Sequence, residues 1–497
     1  MCMNVVEEPN VMNIIVSNIY SKIDIDILDV TPQIKACLQD INTKLRVKDP
    51  AANYSEKYNT FNNKGERSWD GFVRFFNPKT RAFYTGLLPL VKKIINAHGI
   101  EIQIDDKQIQ PECDCRVVHE LPHNTNRNKH IILRDYQKQG VNIALNGTHR
   151  GIYNYSTNGG KTILAVAISE SIPVKTLFLV DRIELLRQAF KVFTDYSTRE
   201  VGIISSDTFE PRDITIGMQK TIHSKLKNEY LREEMVMYLN SVEQLFCDEV
   251  HLASSTTWRY VLRHIQRAYY RYGLSATPFL EDKIRNMYLL GLIGPIIQKI
   301  SNKQLIDAGY SATPIINMVK YESPRLSTGL DFSEAYLEGV VENEVRNDLI
   351  VDIIKKHRGQ SVLVIVKNIE HGRLIQEQLN QTDGYFISGK DTKQQRINIY
   401  NNFSNKRIPI VIASLIYKYG IDIAAIDVLI YAAGIKAPAT VIQVVGRGLR
   451  AREGKPNLHY YDFIDDSHHY IKNHLKKRLA MYHEQEFDVV EITPEDI

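Results

Sequence analysis

Hydrophobic residues from position 133 onward are gathered into short runs, and most of these runs are separated by stretches with helical spacing. The runs that we interpret as strands are residues 151–155, 176–180, 214–218, 245–248 and 272–275, and then residues 361–366, 409–414 and 427–431. Short buried strands that alternate with helices are typical of a parallel sheet covered by helices. This part of the chain is therefore predicted to form two similar α/β lobes.

The amino-terminal third has a mixed pattern that predicts a smaller domain. Alternation and helical spacing favour strands at residues 13–19 and 23–27, and helices at residues 32–41 and 87–98. The polar residues 124–130 are typical of a linker. We therefore predict an accessory α+β domain at residues 1–125, a first lobe at 126–308 and a second lobe at 309–497.

Composition limits the class of protein. At 497 residues, the chain has the length of about three domains. The 62 Lys and Arg residues nearly balance the 58 Asp and Glu residues, which excludes a polybasic DNA condenser, and 43% hydrophobic residues exclude a disordered chain. Five cysteines favour thiols in a reducing compartment, and neither a signal peptide nor a membrane span is expected. The last seventeen residues contain six acids and no Lys or Arg, so we expect a solvated end.

A glycine-rich turn predicts a phosphate site. Residues 156–162 (Ser-Thr-Asn-Gly-Gly-Lys-Thr) follow a predicted strand and open a helix. The backbone at such a turn binds phosphate, Lys161 reaches the outer phosphates, and the Thr162 hydroxyl can ligate Mg²⁺. The nucleotide-binding set is Thr157, Asn158, Gly159, Gly160, Lys161 and Thr162. Tyr155 replaces the first glycine of the usual pattern, but Asn158 tolerates positive φ. An ordinary strand-to-helix turn is the alternative.

Two carboxylates follow the predicted strand 245–248. Asp248 and Glu249, in the sequence Asp-Glu-Val-His251, would lie at the carboxyl end of a parallel strand, where α/β sheets bind ligands. Asp248 is expected to hold Mg²⁺ through water, and Glu249 to orient and polarise the attacking water. A lone acidic pair is more often a solvated strand edge, and only its position between two other motifs favours a catalytic role.

Further motifs extend the pattern in a fixed order. They are Leu133-Arg-Asp-Tyr-Gln137, Gly273-Leu-Ser-Ala-Thr-Pro278 and Gln443-Val-Val-Gly-Arg-Gly-Leu-Arg450. With the phosphate loop and the acidic pair, they resemble the motifs of superfamily two helicases of the DExH kind, over residues 130–465. The resemblance implies two tandem RecA-like lobes with ATP bound between them and Mg²⁺ as the cofactor.

The last of these motifs has helical spacing. Gln443, Arg447 and Arg450 stand at i, i+4 and i+7, so they share one helix face and point at one target. An arginine supplied by a second lobe stabilises the charge that builds on a γ-phosphate, which predicts a catalytic role for all three residues. A basic helix face toward solvent is the alternative for this helix taken alone.

The resemblance implies further roles. Gln137 looks like the glutamine that reads adenine, and Ser275 and Thr277 look like the link between hydrolysis and lobe movement. Gly420 and Asp422 look like nucleotide-binding residues near the ribose. Arg182, Gln219, Lys367 and Asn368 occupy positions where relatives contact the nucleic-acid backbone. An ordinary charged loop is an equal alternative for each of these four.

The amino-terminal domain resembles a narrower group. Residues 68–71 (Ser-Trp-Asp-Gly), then Arg74, Phe75 and Phe76, and the helix after Gly86 resemble phage helicases of the UvsW family. This implies an accessory DNA-binding domain that uses Trp69 and Arg74, and an enzyme that unwinds, regresses or migrates branched DNA inside an infected bacterial cell. The aromatic residues of this segment are expected to be mostly core, with one free to stack on a base.

Several alternatives stay open. A double-stranded DNA translocase of the restriction or repair type, an RNA helicase, and a DNA-annealing protein with a switch ATPase fit the same motifs. Cys113, Cys115, His119 and His123 could bind zinc, although the C-x-C spacing departs from the usual pattern. Cys247 is expected to be a packing residue.

Overall fold

The computed structural model describes residues 11–26, 30–60, 68–126, 129–279, 282–310, 313–379, 384–414, 426–435, 457–484 and 487–497. These residues form two compact units. The first contains the described parts of residues 1–155 and 161–299, and the second contains residues 156–160 and the described parts of 300–497. None of the described helices combines the length and the hydropathy needed to cross a bilayer.

The first unit begins with a small mixed sheet. The elements of this part of the chain are β1 (Val11–Val16), β2 (Tyr20–Asp24), α1 (Pro32–Lys44), β3 (Arg46–Lys48), α2 (Glu56–Asn59), β4 (Phe72–Arg74), β5 (Ala82–Tyr84), α3 (Leu88–Ala97) and β6 (Glu101–Asp106). The sheet order is β5-β2-β1-β6, with β6 parallel to β1 and the other pairs antiparallel. Helix α1 begins where the Thr31 hydroxyl accepts the Ile34 N–H. The two strands and two helices predicted here are confirmed, with shifted ends.

The predicted linker is anchored to the rest of the unit. Strands β7 (Glu120–Pro122) and β8 (His130–Ile132) pair as an antiparallel ribbon around it. The Asn124 side-chain amide donates to the carbonyls of Thr194 and Ser197, at 2.7 and 2.6 Å. Both ends of the predicted linker are therefore tied to other parts of the unit, which local polarity does not reveal because the carbonyl partners are distant in sequence.

An eight-stranded sheet dominates the first unit. Its elements, in chain order with their helices, are α4 (Asp135–Leu145), β9 (Arg150–Tyr155), α5 (Lys161–Ser171), β10 (Thr176–Val180), α6 (Ile183–Tyr196), β11 (Val201–Ile204), β12 (Phe209–Glu210), β13 (Ile214–Met218), α7 (Gln219–Lys227), α8 (Arg232–Ser241), β14 (Gln244–Asp248), α9 (Thr256–His264), β15 (Tyr270–Ser275), α10 (Lys283–Leu292) and β16 (Ile296–Ile300). The order is β12-β11-β13-β10-β14-β15-β9-β16. The six strands from β11 to β9 in this order run parallel, as predicted.

The small sheet packs closely against the larger part of the unit. A Cβ added to Gly86 would lie 2.1 Å from the carbonyl oxygen of Leu290 in α10, so no larger residue fits there without movement. Phe75 contacts the Tyr288 ring edge to face, with 4.8 Å between ring centroids. The small sheet and the larger sheet therefore share one continuous apolar core.

The second unit holds a seven-stranded, wholly parallel sheet. Its elements are α11 (Asn302–Asp307), β17 (Thr313–Val319), α12 (Phe332–Tyr336), α13 (Glu344–Lys356), β18 (Val362–Val366), α14 (Ile369–Gln378), β19 (Tyr385–Ile387), α15 (Lys393–Ser404), β20 (Ile410–Ser414), β21 (Val428–Tyr431), β22 (Asn457–Phe463), α16 (His469–Glu484) and β23 (Asp488–Ile492). The order is β19-β20-β18-β21-β22-β17-β23, with every pair parallel. The predicted second α/β lobe is thus confirmed.

The acidic end of the chain departs from the sequence prediction. Strand β23 pairs with β17 and so completes the sheet, although its side chains are mostly exposed. Lys320 pairs with Glu491 at 2.8 Å beside this edge. The solvated end is therefore a strand, because backbone hydrogen bonds to β17 form whatever the side-chain polarity.

Two buried ion pairs cross the core of the second unit. Arg346 of α13 donates from Nε to Asp465 at 2.8 Å, and Arg478 of α16 donates from Nε to Asp462 at 2.7 Å. All four side chains are fully buried. The Tyr321 hydroxyl donates a further bond to Asp465, at 2.9 Å. These charges join two helices to the end of β22 and the residues that follow it.

Candidate functional site

The parallel order of the large sheet brings the sequence motifs of the first lobe to one edge. Strand β15 lies between β9 and β14, with Ser275 opposite Asn154 and Asp248 opposite Leu274. The phosphate loop, the acidic pair and the Ser-Ala-Thr segment therefore follow three neighbouring strands at their carboxyl ends. Ligands bind at this edge in α/β sheets.

The phosphate loop has the backbone that its sequence predicts. Asn158 has a φ of 70° and Gly160 a φ of 68°, so both residues adopt the left-handed conformation expected for a tight turn. The Ser156 N–H and hydroxyl both donate to the Ile300 carbonyl at 3.0 Å, which fixes the start of the loop. The loop then opens helix α5, whose first residues are Lys161 and Thr162.

Tyr155, which replaces the usual first glycine, is accommodated outside the loop. Its ring is fully buried, and its hydroxyl donates to the Gln298 side chain at 2.6 Å. Its carbonyl accepts a bond from the Lys161 ammonium at 3.2 Å. Because the ring packs into the core, the departure from the glycine pattern leaves the turn intact.

The surroundings of the acidic pair shift the pKa values of its two carboxyl groups in opposite directions. Burial and the neighbouring Glu249 charge raise the pKa of Asp248 to about 7, against the lowering effect of Lys161. Burial also acts on Glu249, but the bond to His251 and the Lys161 charge outweigh it and lower the pKa of this carboxyl. Glu249 thus stays ionised, as a group that polarises water requires.

The backbone and neighbours of Glu249 constrain it. Its φ is 46° and its ψ is 54°, a left-handed conformation that a non-glycine residue rarely adopts. The His251 Nδ1 atom lies 3.3 Å from the carboxylate. The preceding thiol, Cys247, is fully buried, and burial raises its pKa to about 12, which agrees with a packing role.

The chemistry of these donors suits a magnesium nucleotide. The Thr162 hydroxyl and the Asp248 carboxylate are hard oxygen ligands of the kind that Mg²⁺ prefers, and Lys161 supplies a positive charge nearby. Lys161 acts electrostatically on both carboxylates. The residues present are therefore consistent with the predicted ATP and Mg²⁺ site.

Two other predicted nucleotide and coupling groups have defined partners. The Gln137 side chain is buried and accepts the Arg134 N–H at 3.0 Å, so it caps helix α4. Ser275 is fully buried at the end of β15, and its hydroxyl accepts the Thr277 N–H at 3.1 Å. The nucleotide-binding and catalytic candidates of the second lobe lie outside the described residues: Gly420, Asp422, Gln443, Arg447 and Arg450.

The predicted nucleic-acid contacts divide into exposed and buried groups. Arg182 stands at the residue before α6 and is partly exposed, with its Nε atom 3.6 Å from the Asp181 carboxylate. Lys367 lies with its ammonium 4.6 Å from the centre of the Tyr336 ring, and Asn368 caps α14. Gln219, the first residue of α7, is fully buried, so its side chain offers no surface to DNA in this structure, whereas the next residue, Lys220, is exposed.

The aromatic segment of the small sheet is mostly core, as expected. Phe75 and Phe76 are buried. The Trp69 indole is half-buried and donates to the Phe72 carbonyl at 2.9 Å. Arg74 is exposed and is paired through both terminal nitrogens with Asp70.

The candidate zinc ligands do not form a site. Among the residues that the structure describes, which include all four candidates, no group of three or more His, Cys, Asp or Glu side chains could hold a metal ion. The sulfur atoms of Cys113 and Cys115 lie side by side on neighbouring stretches of the same short segment.

Two groups were not predicted from the sequence. One is the buried pair of arginines, Arg346 and Arg478, whose sequence surroundings resemble any charged helix. The other is a surface pocket beside Tyr20 and Tyr84. The cross-strand pairing of β2 with β5, which local periodicity does not reveal, creates this aromatic pair.

Comparison with known families gives two matches. The model of the family described as type III restriction enzyme, res subunit, matches residues 130–280, and that of the helicase conserved C-terminal domain matches residues 345–452. The first range contains the phosphate loop and the acidic pair, and the second contains Arg447 and Arg450. Together the matches cover about half of the chain, one on each predicted lobe.

Individual proteins agree with the family matches. The ATP-dependent DNA helicase UvsW of Enterobacteria phage T4 is 24% identical, over 80% of this chain and 82% of that protein. Putative ATP-dependent helicase IRC3 of Saccharomyces cerevisiae is 27% identical over 68% of this chain, and the chain spans only 52% of that relative. A solved fragment of a putative HsdR subunit of a type I restriction enzyme from Vibrio vulnificus has a TM-score of 0.54 at 19% identity, covering 87% of this chain and 77% of that one. This last likeness concerns the fold alone.

Proposed function

The chain belongs to the superfamily two helicases, and from this membership we propose that it remodels branched DNA such as forks and four-way junctions. As an ATP-dependent helicase it is a nucleoside-triphosphate hydrolase with two RecA-like lobes. The observation that carries the ATP-dependent motor is the alignment of the phosphate loop, Glu249 and Ser275 at the carboxyl ends of three neighbouring parallel strands. The choice of branched DNA rests on the resemblance to UvsW, which extends over 80% of this chain.

The residues of the first lobe divide the chemistry among them. The loop amides and Lys161 would bind the β- and γ-phosphates, and Glu249 would orient and polarise the water that attacks the γ-phosphate. Thr162 and Asp248 would hold Mg²⁺, which neutralises charge on the phosphates. Ser275 would transmit hydrolysis to the lobes, and Gln137 would read the base.

The remaining roles belong to the second lobe and to the accessory domain. We propose that Arg447 and Arg450 stabilise the transition-state charge, that Gln443 helps to position them, and that Gly420 and Asp422 contact the nucleotide. Arg182, Lys367 and Asn368 would contact the DNA backbone. The accessory domain at residues 1–125 would engage the branch, as the resemblance to UvsW along most of both chains supports.

ATP hydrolysis by the purified protein tests this function. We expect little hydrolysis without nucleic acid, moderate stimulation by single strands or plain duplex, and strong stimulation by a fork or a four-way junction. Matched RNA serves as the control for nucleic-acid type. Stimulation by plain duplex that equals stimulation by the junction would contradict the preference for branches, and a preference for RNA would contradict the choice of DNA.

A double-stranded DNA translocase is the second candidate. The family match of residues 130–280 to restriction-enzyme res subunits favours it. Such a motor would hydrolyse ATP in proportion to duplex length and would displace a triplex-forming strand from a linear duplex. A helicase that acts on branches would show neither behaviour without a branch.

A further inference from the structure

A pocket opens on the accessory domain, and none of its lining residues belongs to the candidate nucleotide site. Its volume is about 460 Å³, within the range of small-molecule binding sites. Phe76 and Phe83 form a buried apolar part of its lining, and Tyr20 and Tyr84 line it from neighbouring strands. A pocket of this size can take one planar aromatic group.

The two tyrosines form a stacking surface. Tyr20 of β2 stands directly opposite Tyr84 of β5, and their rings stack with 5.0 Å between centroids and 26° between planes. Tyr84 is nearly buried, whereas Tyr20 is 46% exposed. Because Tyr84 covers one face of Tyr20, the exposed surface of the ring is available for a further aromatic group.

Residues of the first lobe contact Tyr84, the buried ring of this stack. Arg263 of α9 donates to the Tyr84 hydroxyl, and its guanidinium lies 5.6 Å from the centre of the same ring. The Tyr84 ring also contacts Tyr288 of α10. A ligand that stacks on Tyr20 would therefore be joined through two packed rings to the lobe that carries the acidic pair.

A basic turn borders the pocket. The Asn77 carboxamide accepts the N–H groups of Lys79 and Thr80, at 2.9 and 3.2 Å, and so fixes the turn between Phe76 and β5. Lys79 is exposed on this turn, and among the described residues it has no carboxylate partner. Arg74 also lines the pocket, but Asp70 neutralises it. The free positive charge of the rim is thus that of Lys79.

We propose that this pocket binds an unpaired nucleotide of DNA, with its base stacked on Tyr20 and its phosphate near Lys79. Aromatic stacking beside a cation is how proteins bind single-stranded nucleic acid without sequence preference. The proposal rests on the proposed function, because it assigns the unpaired strand at a branch to this surface. A fully paired duplex has no base to offer it.

The test uses the full-length protein and a fork with 2-aminopurine in the unpaired strand beside the junction. Stacking on Tyr20 should quench the probe in the wild type, whereas Tyr20→Ala should leave it bright. Tyr20→Ala should weaken fork binding by about 5- to 100-fold, the usual range for loss of one base–aromatic stack. Binding of plain duplex and ATP hydrolysis without DNA should not change.

Matched variants separate stacking from other effects. Tyr20→Phe keeps the ring and should bind the fork as the wild type does. Tyr230→Ala removes a tyrosine of 92% exposure elsewhere in the first unit and should have no effect. Lys79→Gln should weaken fork binding, and Lys48→Gln, at another exposed lysine of the domain, should not.

Distinct results overturn the two proposals. Equal fork binding by Tyr20→Ala and Tyr230→Ala, or equal losses in Tyr20→Ala and Tyr20→Phe, would rule out the stacking site. If the probe is quenched in the wild type and not in Tyr20→Ala, but ATP hydrolysis is stimulated equally by branched and plain DNA, the stacking site is supported and the proposed function is contradicted. If branched DNA stimulates hydrolysis most strongly but the probe stays bright in the wild type, the proposed function is supported and the stacking site is contradicted.

Discussion

Two residues of the candidate nucleotide site stand on backbone that few residues other than glycine adopt. Asn158 has a φ of 70° and Glu249 a φ of 46°. The left-handed conformation costs an ordinary residue about 1–2 kcal/mol. Each residue closely follows a strand at the ligand-binding edge of a parallel sheet. The surrounding fold therefore holds both residues in an unfavourable backbone conformation, at the two positions where phosphate binding and water activation are proposed. Such backbone strain is common at functional sites.

Substitutions at Asn158 should separate backbone strain from side-chain chemistry. Asn158→Gly relieves the strain and should keep nucleotide affinity close to that of the wild type. Asn158→Val places a β-branched residue at positive φ and should weaken affinity by about 5- to 30-fold, the equivalent of the left-handed penalty. Titration with a fluorescent ATP analogue measures both. Equal losses in the two variants would assign the effect to the amide group instead.

Glu249→Gln should stop hydrolysis while leaving nucleotide binding intact. The amide keeps the shape of the side chain but cannot polarise water as a carboxylate does, so kcat should fall by at least about 100-fold. Glu233→Gln, at an exposed glutamate of α8, is the matched control and should behave as the wild type. If unwinding survives in Glu249→Gln, the chemical assignment is wrong. Annealing of complementary strands that persists in this variant would be an activity separate from the motor.

Residue-level predictions succeed where the signal is local. The positive φ of Asn158 follows from the loop sequence alone, and the structure confirms it. The burial of Gln219 could not be predicted, because it depends on how the start of α7 packs against distant elements. Tyr20 was missed for a similar reason, since its partner Tyr84 is distant in sequence and meets it only across paired strands.

At the scale of elements, buried strands were easier to predict than exposed ones. Strands β10 and β13 have the predicted bounds, because strands covered on both faces are continuous apolar runs. Strand β23 was missed, because an exposed edge strand carries polar side chains and its pairing with β17 involves the backbone. Amphipathic helices such as α1 were found, although their ends moved by a few residues.

Gly86→Ala tests the packing of the accessory domain on α10. The added methyl group would meet the Leu290 carbonyl, and overpacking of this kind costs about 1–3 kcal/mol. We expect a lower free energy of unfolding and faster release of the amino-terminal segment by limited proteolysis. Gly329→Ala, where a Cβ meets only the Ser327 hydroxyl at 3.8 Å, should cost little. Equal stability of the two variants would mean that this contact is not tight in solution.

The buried ion pairs of the second unit make a separate prediction for stability. Asp465→Asn leaves Arg346 buried without its counter-charge, and breaking such a pair costs about 3–5 kcal/mol. Denaturant unfolding should show this loss as a lower midpoint. The exposed neighbour provides the control, because Asp466→Asn changes the same charge in solvent and should be nearly neutral. A small effect of Asp465→Asn would indicate that water reaches the pair.

At the scale of the whole molecule, the sequence indicates three domains and the structure forms two compact units. The first unit contains both the predicted accessory domain and most of the predicted first lobe. Their close packing at Gly86 and Tyr288 explains the difference, since composition marks a boundary at the polar segment but cannot show that both sides share a core. A branch bound by the accessory domain would therefore be fixed in position relative to the first lobe.

The final prediction concerns the arginines of the second lobe, whose roles rest on spacing and resemblance. If Arg447 stabilises the charge that develops on the γ-phosphate, Arg447→Ala should lower kcat on the order of 10³-fold, because this interaction strengthens only in the transition state. Affinity for a non-hydrolysable ATP analogue should change little, in contrast to a phosphate-loop variant. Arg452→Ala removes a neighbouring arginine outside the i, i+4, i+7 series and should retain activity. Equal loss in both variants would show that the segment contributes general positive charge, and the proposed catalytic pair would then be wrong.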